Sequence, residues 1–171
     1  MAARTGPPVT PSVIVLPAFS RADYDGGPDA PDEVERWLAH YDVAVEVPVP
    51  GIPGTLRYDP HADVAMARTG IGKAAAASTV GALVASEAVD LADAAIVTVG
   101  IAGCPPAAGT IGSVFVADAV VDCDLKHRIG DDVRPLEWRS RDYGWELDAG
   151  RVERAVEAAR SADLADPPGA Q

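Results

Sequence analysis

Two short glycine turns hold most of the chemistry that the sequence offers. Thr69-Gly70-Ile71-Gly72 leads into Lys73, and Gly100-Ile101-Ala102-Gly103 follows an apolar run. Such turns expose backbone N–H groups, and small residues let a flat ring or a phosphate approach the main chain. The glycines also simply allow a strand to turn into a close-packed helix. Gly70 to Ala75 matches the dinucleotide fingerprint with alanine in its third place, but no acidic residue ends the strand that follows. A Walker loop does not fit, because Gly72-Lys73 is followed by Ala74 and not by serine or threonine. Asp122-Cys123-Asp124 with His127 gathers carboxylates and an imidazole, yet no second histidine or cysteine pair supports a metal. A solvated loop is the simpler reading there. His40 and His61 stand alone, and no serine sits in a nucleophile elbow. No catalytic residue and no metal ligand is assigned.

These turns need elements to hold them. Val64 to Arg68 reads as a short buried strand closed by Thr69-Gly70. From Lys73 the spacing of Ala76, Ala77, Val80, Leu83 and Val84 predicts one face of a helix. Ala94 to Val99 is a continuous apolar run, which predicts a strand covered on both faces. Strand, helix, strand is a βαβ unit, so the two glycine turns are expected side by side at the carboxyl ends of neighbouring strands. Upstream, Ser12 to Phe19 predicts a first strand, 20–32 a loop, 31–40 a short helix, and Val43 to Val49 an edge strand held there by Pro48 and Pro50. Downstream, Ser113 to Val121 predicts a strand and Asp122 to Trp145 an irregular polar stretch. Asp148 is placed to cap a helix running to about Ala162. Residues 1–11 and 164–171 are expected to be tails around one domain, 12–163.

Composition narrows the partners. The 171-residue chain is 48% hydrophobic with a formal net charge of -12, which argues against nucleic acid or an anionic membrane surface. A small anion bound locally by backbone N–H groups remains compatible with that charge. Cys104 and Cys123 read as free thiols in a reducing cytoplasm. No apolar segment precedes Val13, so no signal peptide is expected. The uncharged stretch 94–117 is long enough to cross a bilayer, but its four glycines and two prolines fit a strand, a loop and a second strand better. A soluble protein without a membrane span is expected.

Several blocks carry a family likeness: Arg68 to Ser78 (RTGIGKAAAAS), Gly100 to Gly103, Gly109 to Ser113 (GTIGS), and Val121 to His127 (VDCDLKH). Val47 to Gly51, Val152 to Ala155 and Leu164 to Asp166 add to it. In these residues and their spacing the chain resembles the purine nucleoside permease family, which belongs to the nucleoside phosphorylase superfamily. The resemblance implies an α/β fold with a mixed or parallel sheet flanked by helices, nucleoside phosphorylase-like and incomplete at its C-terminus. It implies a purine nucleoside as ligand, with Ile101, Ala102 and Gly103 lining the base. Thr69, Gly70 and Gly72 would wall the ribose and phosphate side. It implies no cofactor, with phosphate as co-substrate where phosphorolysis occurs.

Three departures from the family pattern bear on turnover. Thr98 and Ile101 stand where phosphorylases commonly carry arginine and serine for phosphate. Ser20 stands where an acidic residue is expected, with Asp23 and Asp25 following. The later family blocks, with their ribose clamp and the aspartate near the base, have no counterpart, so little or no turnover is expected. Two other readings compete. One is a non-catalytic interaction module, in which a shortened sheet leaves an edge and an apolar face for a partner or a homo-oligomer. The other is a dinucleotide-binding Rossmann-like protein.

Overall fold

The computed structural model describes residues 7–23, 30–124, 126–135 and 144–162. The chain divides into two units, Met1–Gly103 and Cys104–Gln171. In the first, the apolar runs form a five-stranded mixed sheet. Its strands are β1 (Val13–Pro17), β2 (Val45–Val47), β3 (Leu56–Asp59), β4 (Val64–Met66) and β5 (Ala95–Val99), in the order β2-β3-β4-β1-β5. β4, β1 and β5 run parallel; β2, β3 and β4 are joined antiparallel. Helix α1 (Glu35–His40) precedes β2, and α2 (Lys73–Val84) connects β4 to β5.

The sheet order corrects one expectation. β4 and β5 are joined through α2 but are not neighbours, because β1 pairs with both. The other side of β4 is already taken by β3, so the chain crosses past β1 before pairing again. β3 was not expected at all. Its apolar Leu56 and Tyr58 alternate with Arg57 and Asp59, a run of only four residues closed by Gly54 and Pro60.

Strand pleating sorts the side chains by face. Ile14, Leu16, Ala65, Ala67, Val47 and Leu56 share the core with Leu83 of α2. The buried residues of α2 are Thr79 and Leu83, whereas Val84 is 67% exposed and Ala77 is also exposed. The inward stripe is therefore Ala76, Thr79, Val80 and Leu83, turned slightly from the one that apolar spacing predicts. Val9, inside the stretch expected to be a tail, is buried and bridges Val89. Residues 1–6, 24–29 (with Asp25) and 163–171 lie outside the described residues.

β5 departs further from expectation. It is the edge strand, and Ile96 and Val97 are 47% and 40% exposed, so it is not covered on both faces. No residue of β5 belongs to the buried core cluster, which draws on β1 to β4 and Leu83 of α2.

The second unit contains β6 (Ala119–Val121), β7 (Lys126–Ile129), β8 (Asp132–Pro135), β9 (Gly144–Glu146) and α3 (Ala149–Ser161). β6 pairs with β9, and β7 with β8 in a hairpin that turns at Gly130, whose φ of 62° suits glycine. The strand expected over Ser113 to Val121 contracts to β6, since Val114 and Phe115 find no strand partner and stay exposed. Asp148 caps α3 as its position suggests, its Oδ1 accepting the Arg151 N–H at 2.8 Å.

Candidate functional site

Parallel pairing brings the carboxyl ends of β4, β1 and β5 to one edge of the sheet. Thr69 to Gly72 continues from β4, Ala18 from β1, and Gly100 to Gly103 from β5. The two glycine turns thus share an edge, with the end of β1 between them and not the direct contact that adjacent strands would give. This also removes the geometric basis of the dinucleotide reading, which needs the strand after the helix to neighbour the one before it.

Each turn is held differently. Thr69 is buried, and its N–H donates to the Pro17 carbonyl at 2.9 Å. Its hydroxyl donates to the Gly70 carbonyl at 2.9 Å, while its own carbonyl accepts the Thr79 hydroxyl at 3.0 Å. One residue of α2 therefore locks the end of β4 in place. Gly70 and Gly72 have φ of 79° and 95°, the left-handed region where a side chain is strained, and Gly72 immediately precedes α2. Ile101 is 65% exposed, and Ala102 and Gly103 are exposed as well. A side chain added at Gly103 would meet nothing within 4 Å, so packing in the protein does not require glycine there.

Sequence reasoning missed Glu33. Its Oε2 accepts the Ala18 N–H and its Oε1 the Ile101 N–H, both at 2.8 Å, which ties the ends of β1 and β5 together. The carboxylate also lies against Gly100, where a Cβ would come within 2.6 Å of Oε1. Nothing local marks it, because Asp32-Glu33-Val34-Glu35 reads as an ordinary solvated acidic run.

A groove of about 820 Å³ lies nearby on the sheet face that carries Met66 and Arg57, lined in part by Arg21, Arg57, Arg68, Asp23, Asp32 and Glu35. Its charges are largely paired. Arg68 bonds Asp23 and the Ser20 hydroxyl, and Arg21 reaches Glu35 at 2.8 Å. Burial pushes the Asp23 carboxyl up, but hydrogen bonds from Arg68 and the Ser20 N–H outweigh it and hold the group below its usual range. Asp32 behaves alike: burial opposes ionisation, and the N–H groups of Arg21, Glu35 and Val34 overcome it.

Among the described residues no three His, Cys, Asp or Glu side chains gather to hold a metal ion. Cys104 and Cys123 are free and exposed, and the Asp122 carboxylate is turned onto the Asp124 N–H at 2.9 Å. No helix among the described residues is long and apolar enough to cross a membrane.

These observations define a mixed α/β protein with two glycine turns at the carboxyl edge of a parallel strand trio. Comparison with known proteins makes it more particular: the purine nucleoside permease (NUP) family model matches residues 10–149, and the chain belongs to that family. It is similar to a probable purine nucleoside permease of Schizosaccharomyces pombe, 41% identical over 85 residues, which are 50% of this chain and 24% of that relative. The chain matches about a quarter of that relative's length. No solved structure matches it.

Proposed function

We propose that this chain binds a purine nucleoside at the edge formed by the ends of β4, β1 and β5, as part of a nucleoside phosphorylase-like sheet. Ile101, Ala102 and Gly103 form the wall for the base, where the exposed Ile101 side chain offers apolar surface and the small Ala102 and Gly103 leave room for a ring. Thr69, Gly70 and Gly72 form the wall on the ribose and phosphate side, where Gly72 is exposed and the start of α2 favours polar oxygen. The observation that carries this reading is the shared edge: both glycine turns, in a chain of the purine nucleoside permease family, end parallel strands that flank β1. Phosphorolysis would further need groups that grip phosphate beside the sugar. Thr98 and Ile101 supply no charge there, so nucleoside binding with little turnover is the expected behaviour.

Calorimetric titration of the chain with inosine and with adenosine, with and without phosphate, tests the proposal. Release of free base is followed in the same samples. Saturable binding of either nucleoside supports it, and the failure of both to bind refutes it. A second reading, an interaction module, draws on the exposed Ile96 and Val97 of the β5 edge. Light scattering across a concentration series distinguishes it, since a strict monomer at all concentrations counts against a self-associating edge.

A further inference from the structure

Glu33 occupies a place that in chemical terms is an anion site. Two backbone N–H groups, of Ala18 and Ile101, converge on one carboxylate at 2.8 Å each. Gly100 lies so close beneath it that any side chain there would strike Oε1. Convergent main-chain donors over a glycine are the general means of holding an oxyanion such as phosphate or a carboxylate. Here the donors come from the ends of adjacent parallel strands, one of them, Ile101, in the wall assigned to the base. The oxyanion is supplied by the chain itself.

We propose that Glu33 closes this notch to phosphate and so makes nucleoside binding at the edge independent of phosphate. The carboxylate takes both donors and places its negative charge in the notch where an oxyanion would otherwise bind them. An incoming phosphate would have to displace a competitor tethered to the same chain, and would meet like charge as it approached. Neutral ribose and base hydroxyl, amino and ring groups meet neither obstacle. Glu33 is therefore a specificity-determining residue, selecting an uncharged nucleoside over phosphate or a phosphorylated sugar. The selectivity for nucleoside rests on the function proposed above; closure of the notch does not.

The test follows the backbone amide resonances of Ala18 and Ile101 in the whole chain while inorganic phosphate is added, for the wild type, Glu33→Gln and Glu33→Ala. The wild-type resonances are expected to stay in place through the range where the variants respond. In Glu33→Ala both move together and saturably, with apparent phosphate affinity raised on the order of tenfold once the like charge and the tethered competitor are gone. Glu33→Gln keeps the side chain's shape without its charge. It carries the test should the alanine variant fold poorly, and its two amides are expected to respond between the extremes. Saturable phosphate shifts in the wild type equal to those of the variants would overturn the proposal. So would folded variants whose Ala18 and Ile101 amides ignore phosphate. Because no nucleoside is present, this outcome is read separately from the nucleoside titration, in which a wild-type affinity that phosphate leaves unchanged is the companion result.

Discussion

Thr79→Val isolates the link between core and site. Thr79 is 1% exposed, and its hydroxyl donates to the Thr69 carbonyl at 3.0 Å across the junction of α2 and the β4 turn. Valine has the same shape, so packing is kept while the donor is lost. Leaving that buried carbonyl short of its donor costs about 1–3 kcal/mol. The added methyl returns about 0.8 kcal/mol of apolar burial, which leaves a net loss of about 0.2–2.2 kcal/mol. With a urea dependence of about 1–3 kcal/mol per molar, the unfolding midpoint should fall by roughly 0.6 M at the middle of these ranges. Inosine affinity should fall as well, because Thr69 loses a hydrogen bond that fixes its peptide against the ligand edge. Thr79→Ser is the control. It keeps the hydroxyl and drops a methyl, so it loses about 1 kcal/mol of stability while retaining wild-type affinity. A valine variant with wild-type midpoint and wild-type affinity would refute the reasoning.

Other outcomes follow from single residues. Gly103→Val should leave stability within about 0.5 kcal/mol, since nothing stands near that position, yet lower inosine affinity at least tenfold by filling the base wall; calorimetry and urea unfolding read the two effects. Gly70→Ala should cost about 1–2 kcal/mol in urea unfolding, because φ is 79° and the new methyl would lie 3.1 Å from Ala75 Cβ. Asp63 is held below its usual 3.8 by the Ser12 hydroxyl and then the Tyr58 hydroxyl. A depressed carboxyl contributes stability that is complete above the unfolded value and is lost as pH falls through the folded one. Asp63→Asn, which tolerates the φ of 57° there, should therefore show a smaller drop in unfolding midpoint than the wild type between about pH 5 and pH 3. Asp148→Ala should weaken α3 by about 1 kcal/mol, seen as faster hydrogen exchange at Arg151.

What could be read in advance was local. The Asp148 cap, the edge position of β2 just before Pro48 and Pro50, and the strand-turn-helix at Gly70 each depend on residues a few positions apart. The neighbours of β4 do not. That β1 lies between β4 and β5 is a matter of which distant strand completes the sheet, and apolar runs carry no such label. Thr79 was overlooked on α2 because the helix stripe was sought among apolar residues, whereas its inward position is stabilised by a hydroxyl bond to Thr69. Glu33 was invisible for the same reason on a longer scale: its partners are the main chain of residues 18 and 101, and main-chain donors leave no trace in residue type. Val114 and Phe115 illustrate the opposite error, since a strand-like pattern forms no strand until a partner with free hydrogen bonds is found.

The interior place of β1 makes its pairing depend on distant parts of the chain. Val13 must wait for Val64 on one side and Ala95 on the other, while β2, β3 and β4 can zip antiparallel from nearby turns. Pairing across such sequence separations slows folding and lengthens the exposure of unpaired backbone. A chaperone that shields the segment around Ile14 until β5 has emerged should raise the yield of folded protein more than one acting after synthesis ends.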